Sequence, residues 1–399
     1  MTDILDFDFT ATIYDFDYTK RAEIKMNRIL TSEDFADQDS EMIFQYLANQ
    51  MEIVSFCDYL KRYIYQHAGI RGDFCSVDDE VYVEILVDAF RQNHVPWSLK
   101  PTKNRLLATM KTWIGQNTLR RGNLFLLGFA LRMPEKDVTE FLIKVLKESD
   151  FDFRSPEECV YWHCYHNRLP YSRAQELLES YRTGEPLSND SLWESVTSSP
   201  TMYLANAEML GQYLRILKEK NLHEKAEQKA YEEFTRLLAE TRRIVAKVLT
   251  QDAMEEGSGK QFAPEEVSNR DIEDMICNGV PRDKNGNLLK IQASLLARQF
   301  SQKRLSRQRI NDVLKKTIPV ERFDLITLLF FIYAKEVEPD WPAERCLQYI
   351  DRINEILTDC GMLEIYPVNP YEAFVLMCLL SDEPLAVYGD VWEMSYSEY

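Results

Sequence analysis

The sequence predicts an all-α protein of multi-helix bundles, with two related helical units and one small β-hairpin. Three observations carry this reading. Apolar residues recur at helical spacing along most of the chain. Gly (13) and Pro (15) are sparse for 399 residues, as in helices joined by short loops. A single stretch carries a convincing strand and turn signal. Hydrophobic residues make up 45% and aromatics 12%, enough to build cores and to argue against global disorder. No window approaches 18 uninterrupted apolar residues, so no membrane span is expected. The start, Met1-Thr2-Asp3-Ile4-Leu5-Asp6, lacks the basic and apolar regions of a secretory signal. Eight cysteines are spread thinly, several in apolar helical stretches, the pattern of reduced buried thiols; the expected location is cytoplasmic.

The spacing divides the chain into an N-terminal helical region (1–95), a first repeat unit (96–200), long charged helices (201–256), a linker (257–278) and a hairpin with a second repeat unit (279–399). The first twenty residues alternate acidic and aromatic (Asp6-Phe7-Asp8-Phe9, Tyr14-Asp15-Phe16-Asp17-Tyr18). They read either as an edge-paired terminus or as an acidic-aromatic docking segment. Ile43, Phe44, Leu47, Met51, Val54 and Leu60 approximate one face of a helix over about 40–67, which Gly69 and Gly72 break. Ser76 and Asp79 resemble a capping box that starts a helix through Ile85, Leu86 and Phe90, and His94-Val95-Pro96 ends it.

In the first unit a basic helix covers about 103–114. A helix opening at Arg121 carries Leu124, Leu127, Phe129 and Leu131, and Pro134 starts another with Val138, Phe141, Leu142 and Leu146 inward. Ser155-Pro156-Glu157-Glu158 has an N-cap Ser, Pro at the first helical position and Glu at the third. The second unit repeats this order: Arg322 with Leu325 three residues on, an apolar helix, then Asn369-Pro370-Tyr371-Glu372 with the same cap chemistry. The Arg-to-cap spacing is 34 residues in the first unit and 47 in the second, so the match requires an insertion of 13. Between the units, 205–251 reads as one or two long charged helices with ion-paired solvated faces. The Gly257-Ser258-Gly259 region reads as linker, and 280–291 as a hairpin turning at Asn285-Gly286. Trp392, Met394, Tyr396 and Tyr399 read as a strap docked on the second unit, or else as a partner-binding tail.

The net charge of −18 is unevenly spread. Lys100, Lys103, Arg105, Lys111, Arg120 and Arg121 form one island of +6. Arg298, Lys303, Arg304, Arg307, Arg309, Lys315 and Lys316, against Asp312, form another of +6, which leaves −30 on the remainder. In the second island the order is a helix over 293–301, a turn at 302–305, and a helix capped by Ser306. This order resembles the helix-turn-helix of lambda-repressor-like regulators, and 119–169 resembles the helices that follow it there. The resemblance implies a DNA-facing set of Gln302, Ser306, Arg307, Gln308, Arg309 and Asn311, with Lys303, Arg304 and Lys315 on phosphates. Lys103, Arg105 and Lys111 would join it from the first island. The chain as a whole resembles uncharacterised all-helical bacterial proteins, which implies no chemistry.

Other motifs resolve to bland readings. Cys159, His163 and His166 share a helix face, but a zinc site needs a fourth ligand and no second cluster of comparable density exists. Gly257-Ser258-Gly259-Lys260 lacks both the first Gly and the Ser/Thr of a phosphate loop. Asp283-Lys284-Asn285-Gly286-Asn287 lacks the spacing of a calcium loop. No nucleophile motif stands out, and no metal or cofactor is expected. The sequence therefore points to a non-enzymatic intracellular regulator that binds nucleic acid through the basic segments. The alternative is a helical protein–protein adaptor whose basic islands pair internally with the acidic remainder. An enzyme whose site is assembled only in three dimensions is the third class.

Overall fold

The computed structural model describes residues 39–50, 55–98, 105–186, 200–290, 294, 296, 300, 304–337, 342–367 and 369–396. It is mostly helical, and the described residues fall into two compact units, one within Ile53–Glu224 and one within Asp15–Glu52 and Lys225–Tyr399. Among the described residues no helix is long and apolar enough to cross a membrane.

The first unit holds α2 (Phe56–His67), α3 (Asp79–Gln92), α4 (Leu106–Gly115), α5 (Arg121–Ala130), α6 (Glu135–Glu140) with a π turn at Phe141–Val145, α7 (Pro156–His166), α8 (Tyr171–Thr183), α9 (Pro200–Ala205) and α10 (Ala207–Lys220). To the second belong α1 (Ser40–Gln45), α12 (Asn269–Ile276), α13 (Arg307–Leu314), α14 (Arg322–Glu336), α15 (Pro342–Asp359), α16 (Pro370–Leu379) and α17 (Pro384–Met394), together with nearly all of α11 (Leu222–Glu255). Each unit is organised around helices that are apolar on every side and therefore central. In the first, α5 buries every residue from Leu124 to Ala130 and α7 those from Cys159 to Tyr165. In the second, α14 is buried from Phe323 to Phe331 and α16 along its whole length.

Several expectations change on contact with the structure. The single helix over 40–67 is two: α1 runs into a π turn at Tyr46–Gln50, and Ser55 caps a new helix, its hydroxyl accepting the Asp58 N–H at 3.2 Å. Ile43, Phe44 and Leu47 belong to the core of the second unit and Leu60 to that of the first, so one apparent apolar face serves two cores. The cap of α3 is Asp78; the Ser76 hydroxyl donates instead to the Asp73 carbonyl. The expected linker at 257–278 is folded beyond its glycines. A Ser268–Asp271 capping box starts α12, and Val267, Ile272, Ile276 and Cys277 enter the core. The hairpin reduces to one isolated antiparallel bridge, Arg282 to Leu288, around the Asn285-Gly286 turn. The C-terminal segment forms α17, with Trp392 and Tyr396 buried in the second unit. It approaches so closely that a Cβ on Gly279 would meet the Gly389 carbonyl oxygen at 1.6 Å. Tyr399, the acidic-aromatic N-terminus and most of 293–301 lie outside the described residues.

Candidate functional site

The second basic island is built on α13. Ser306 caps it, its hydroxyl accepting the Arg309 N–H at 3.3 Å, and buried Ile310 and Val313 fix which face turns inward. Arg309, one turn in, faces the start of α14. Its Nε and Nη2 donate to the two carboxylate oxygens of Asp324, both at 2.7 Å, while its guanidinium lies 4.8 Å from the centre of the Phe323 ring. Asp324 is fully buried and also accepts the Glu321 backbone N–H at 2.8 Å, which closes the capping box of α14. Burial opposes the charge on Arg309, but the hydrogen bonds and charge of Asp324 outweigh it and hold the guanidinium above its ordinary pKa.

The neighbouring candidates are tied in differently. Arg304 donates to the Leu289 carbonyl at 3.1 Å and to the Tyr396 hydroxyl at 3.0 Å. Arg307 reaches Asn287 at 2.7 Å, and its backbone N–H donates to buried Glu273. Asn311 accepts from Asn269 at 2.8 Å. Gln308 is exposed and bonds Asp312 along the helix, and Lys315 is exposed at the end of α13. In the first island Arg105 is exposed at the N-cap of α4, and Lys111 is exposed with its ammonium 2.7 Å from Glu80. Lys103, Lys303 and Gln302 lie outside the described residues.

Arg121 and Arg322 make the same kind of clasp, each in its own unit. Arg121 donates from Nε and Nη2 to Glu158 at 2.8 and 2.6 Å, and to the carbonyls of Ser149 and Asp150 at 2.6 and 2.7 Å. Glu158 in turn accepts the Asp152 N–H at 2.7 Å. Arg322 donates to Glu372 at 2.7 Å and to the carbonyls of Leu363 and Glu364 at 3.0 and 2.9 Å, and Glu372 accepts the Tyr366 N–H. In both units two consecutive carbonyls are followed two residues later by the N–H, and six residues after that by the Glu. That Glu is the third residue of a helix opened by a capping Ser155 or Asn369 and then a Pro. The longer Arg-to-Glu interval of the second unit accompanies longer helices. There α14 has 15 residues against 10 in α5, and α15 has 18 where the first unit has the short α6 and its π turn.

The Cys159, His163 and His166 face does not converge. Cys159 donates to the Phe153 carbonyl, His163 Nδ1 lies 2.6 Å from the Leu204 carbonyl oxygen, and His166 stacks on Trp162 and reaches Glu135. Sequence reading missed the carboxylates that hold the arginines: Asp324, Glu158 and Glu372. The signal was available for the last two, since each unit has an Arg at its first helical position and a Glu at the third position of the capped helix. No protein-family model, curated protein or solved structure matches the chain.

Proposed function

We propose that the chain is a non-enzymatic helical adaptor made of two related units, in which the basic islands serve the fold and the acidic remainder meets a protein partner. The observation that carries this reading is the Arg309–Asp324 pair. A guanidinium whose Nε–Nη2 edge is spent on a fully buried carboxylate cannot offer that fork to a base edge. Arg304 and Arg307 are likewise committed to groups of their own unit. The two clasps support the relation between the units, because carbonyl pair, N–H and Glu recur at the same intervals despite unrelated intervening residues. The test is charge reversal. Arg307→Glu with Arg309→Glu should lower the denaturation midpoint of the second unit strongly. An unchanged midpoint would remove the structural role and the reading with it.

Nucleic-acid recognition is the second reading. Exposed Gln308 and Lys315 on α13, and exposed Arg105 and Lys111 on α4, favour it. On that reading binding is carried by phosphate contacts and falls steeply with salt.

A further inference from the structure

The second unit is assembled from two stretches of chain far apart in sequence. Residues 39–50 belong to it, the next described helix, α2, belongs to the first unit, and the chain returns to the second at Lys225. In the early stretch Ile43 and Leu47 are fully buried in the core of the second unit, and Phe44 and Tyr46 are buried with them. α1 packs chiefly on α17, where the Ser40 hydroxyl donates to the Asp390 carboxylate at 2.9 Å. It has six residues before its π turn, too few to hold a helical form in water alone, so its folding and its docking are one event. α17 is fastened to the unit by other means. Tyr388 stacks on Phe374 with ring centres 4.7 Å apart, Trp392 stands edge-on to Phe300 at 5.5 Å, and Arg304 reaches the Tyr396 hydroxyl just past the helix end.

The charges oppose the docking of α1. From 29 to 60 the sequence has seven Asp or Glu and no Lys or Arg, and from 353 to 399 it has nine and none. Asp39 and Glu41 are exposed, as are Asp382, Glu383, Asp390 and Glu393 on α17 or just before it. Apolar side chains thus hold two acidic segments together against like charge, and a neutral hydroxyl sits where Asp390 could take a cation.

We propose that α1 is a releasable strap and that its seat on α17 takes a basic amphipathic helix from the protein partner of the adaptor reading, on which this inference rests. Such a helix presents apolar side chains to the core at the spacing of Ile43, Phe44 and Leu47. It presents Lys or Arg, in place of Ser40 and Glu41, to the carboxylates of α17. It buries the same kind of surface and replaces repulsion by attraction, so it displaces the strap.

The experiment uses the full chain and a fluorescent peptide of residues 38–50 carrying Ser40→Arg and Glu41→Lys, followed by anisotropy. The peptide should bind wild type, more tightly at low salt. It should bind the Leu47→Asp chain, whose own strap cannot seat, at least about tenfold more tightly than wild type. No binding, or equal binding to the two chains, overturns the proposal. Equal affinity for a peptide of the natural sequence makes the seat a site for a second copy of the chain and overturns the basic partner. Native-state hydrogen exchange of wild type in urea supplies a second measurement that stands even if Leu47→Asp does not fold. Amides of 42–47 should exchange through an opening that leaves α14 and α16 protected. Exchange of all three segments together, only through unfolding of the whole unit, overturns the strap. The adaptor reading is judged by the Arg307 and Arg309 reversals in α13, so either can fail while the other stands.

Discussion

Replacing Arg309 by Met removes the charge and keeps most of the side-chain volume, so the response isolates the Arg309–Asp324 pair. The fully buried Asp324 carboxylate then retains the Glu321 N–H and loses both guanidinium bonds. Removing one partner of a buried ion pair costs about 3–5 kcal/mol. The Arg309 side chain keeps 18% of its exposure, which sets the expectation at the lower end, about 3 kcal/mol. For a unit of this size that lowers Tm by roughly 6–12 °C. Asp324→Leu in the same chain removes the stranded charge, so the double variant should recover about 2 kcal/mol of the loss, short of full recovery because the capping box of α14 goes with it. Urea denaturation of wild type, the two single variants and the double gives the coupling energy directly. A cost below about 1 kcal/mol for Arg309→Met, the value for an exposed ion pair, would refute the structural role of the island.

Two further predictions follow from the packing. Arg121→Met and Arg322→Met should each cost about 3 kcal/mol, with amide exchange accelerating in the unit that holds the altered clasp and unchanged in the other. Gly279→Ala drives a Cβ into the backbone of α17 and should cost at least about 1–3 kcal/mol in thermal unfolding, whereas Gly389→Ala, whose Cβ meets nothing closer than 3.4 Å, should be neutral or slightly stabilising.

Helix existence was legible wherever caps and apolar spacing agreed, as at Ser155-Pro156 and Asn369-Pro370, whose side chains do accept the expected first-turn N–H groups. Boundaries were legible where one local signal stood alone, and not where two competed. The 40–67 face looked continuous because residues of two separate cores happened to share a helical period. Helix ends were harder still. His94, Arg132, Lys147, Arg168 and Lys316 take left-handed backbone angles, so the glycines that usually announce such ends are missing from the sequence. The charge islands were visible, but their partners were not. Arg309 finds Asp324 fifteen residues on, across the turn that leads from α13 into α14. Arg322 finds Glu372 fifty residues on, and Tyr63 finds Asp137 seventy-four residues on. Composition shows that a cation lies in an acidic chain; only the fold shows which carboxylate it meets.

The central claim, that the basic islands are spent within the fold, is tested most directly by fluorescence anisotropy. Labelled random duplex and single-stranded oligonucleotides are titrated with the full chain at low and near-physiological salt. The adaptor reading predicts no salt-sensitive rise in anisotropy with either probe at low salt. Binding that is tight at low salt and falls steeply as salt is raised would contradict it and make the exposed residues of α4 and α13 a phosphate-binding surface.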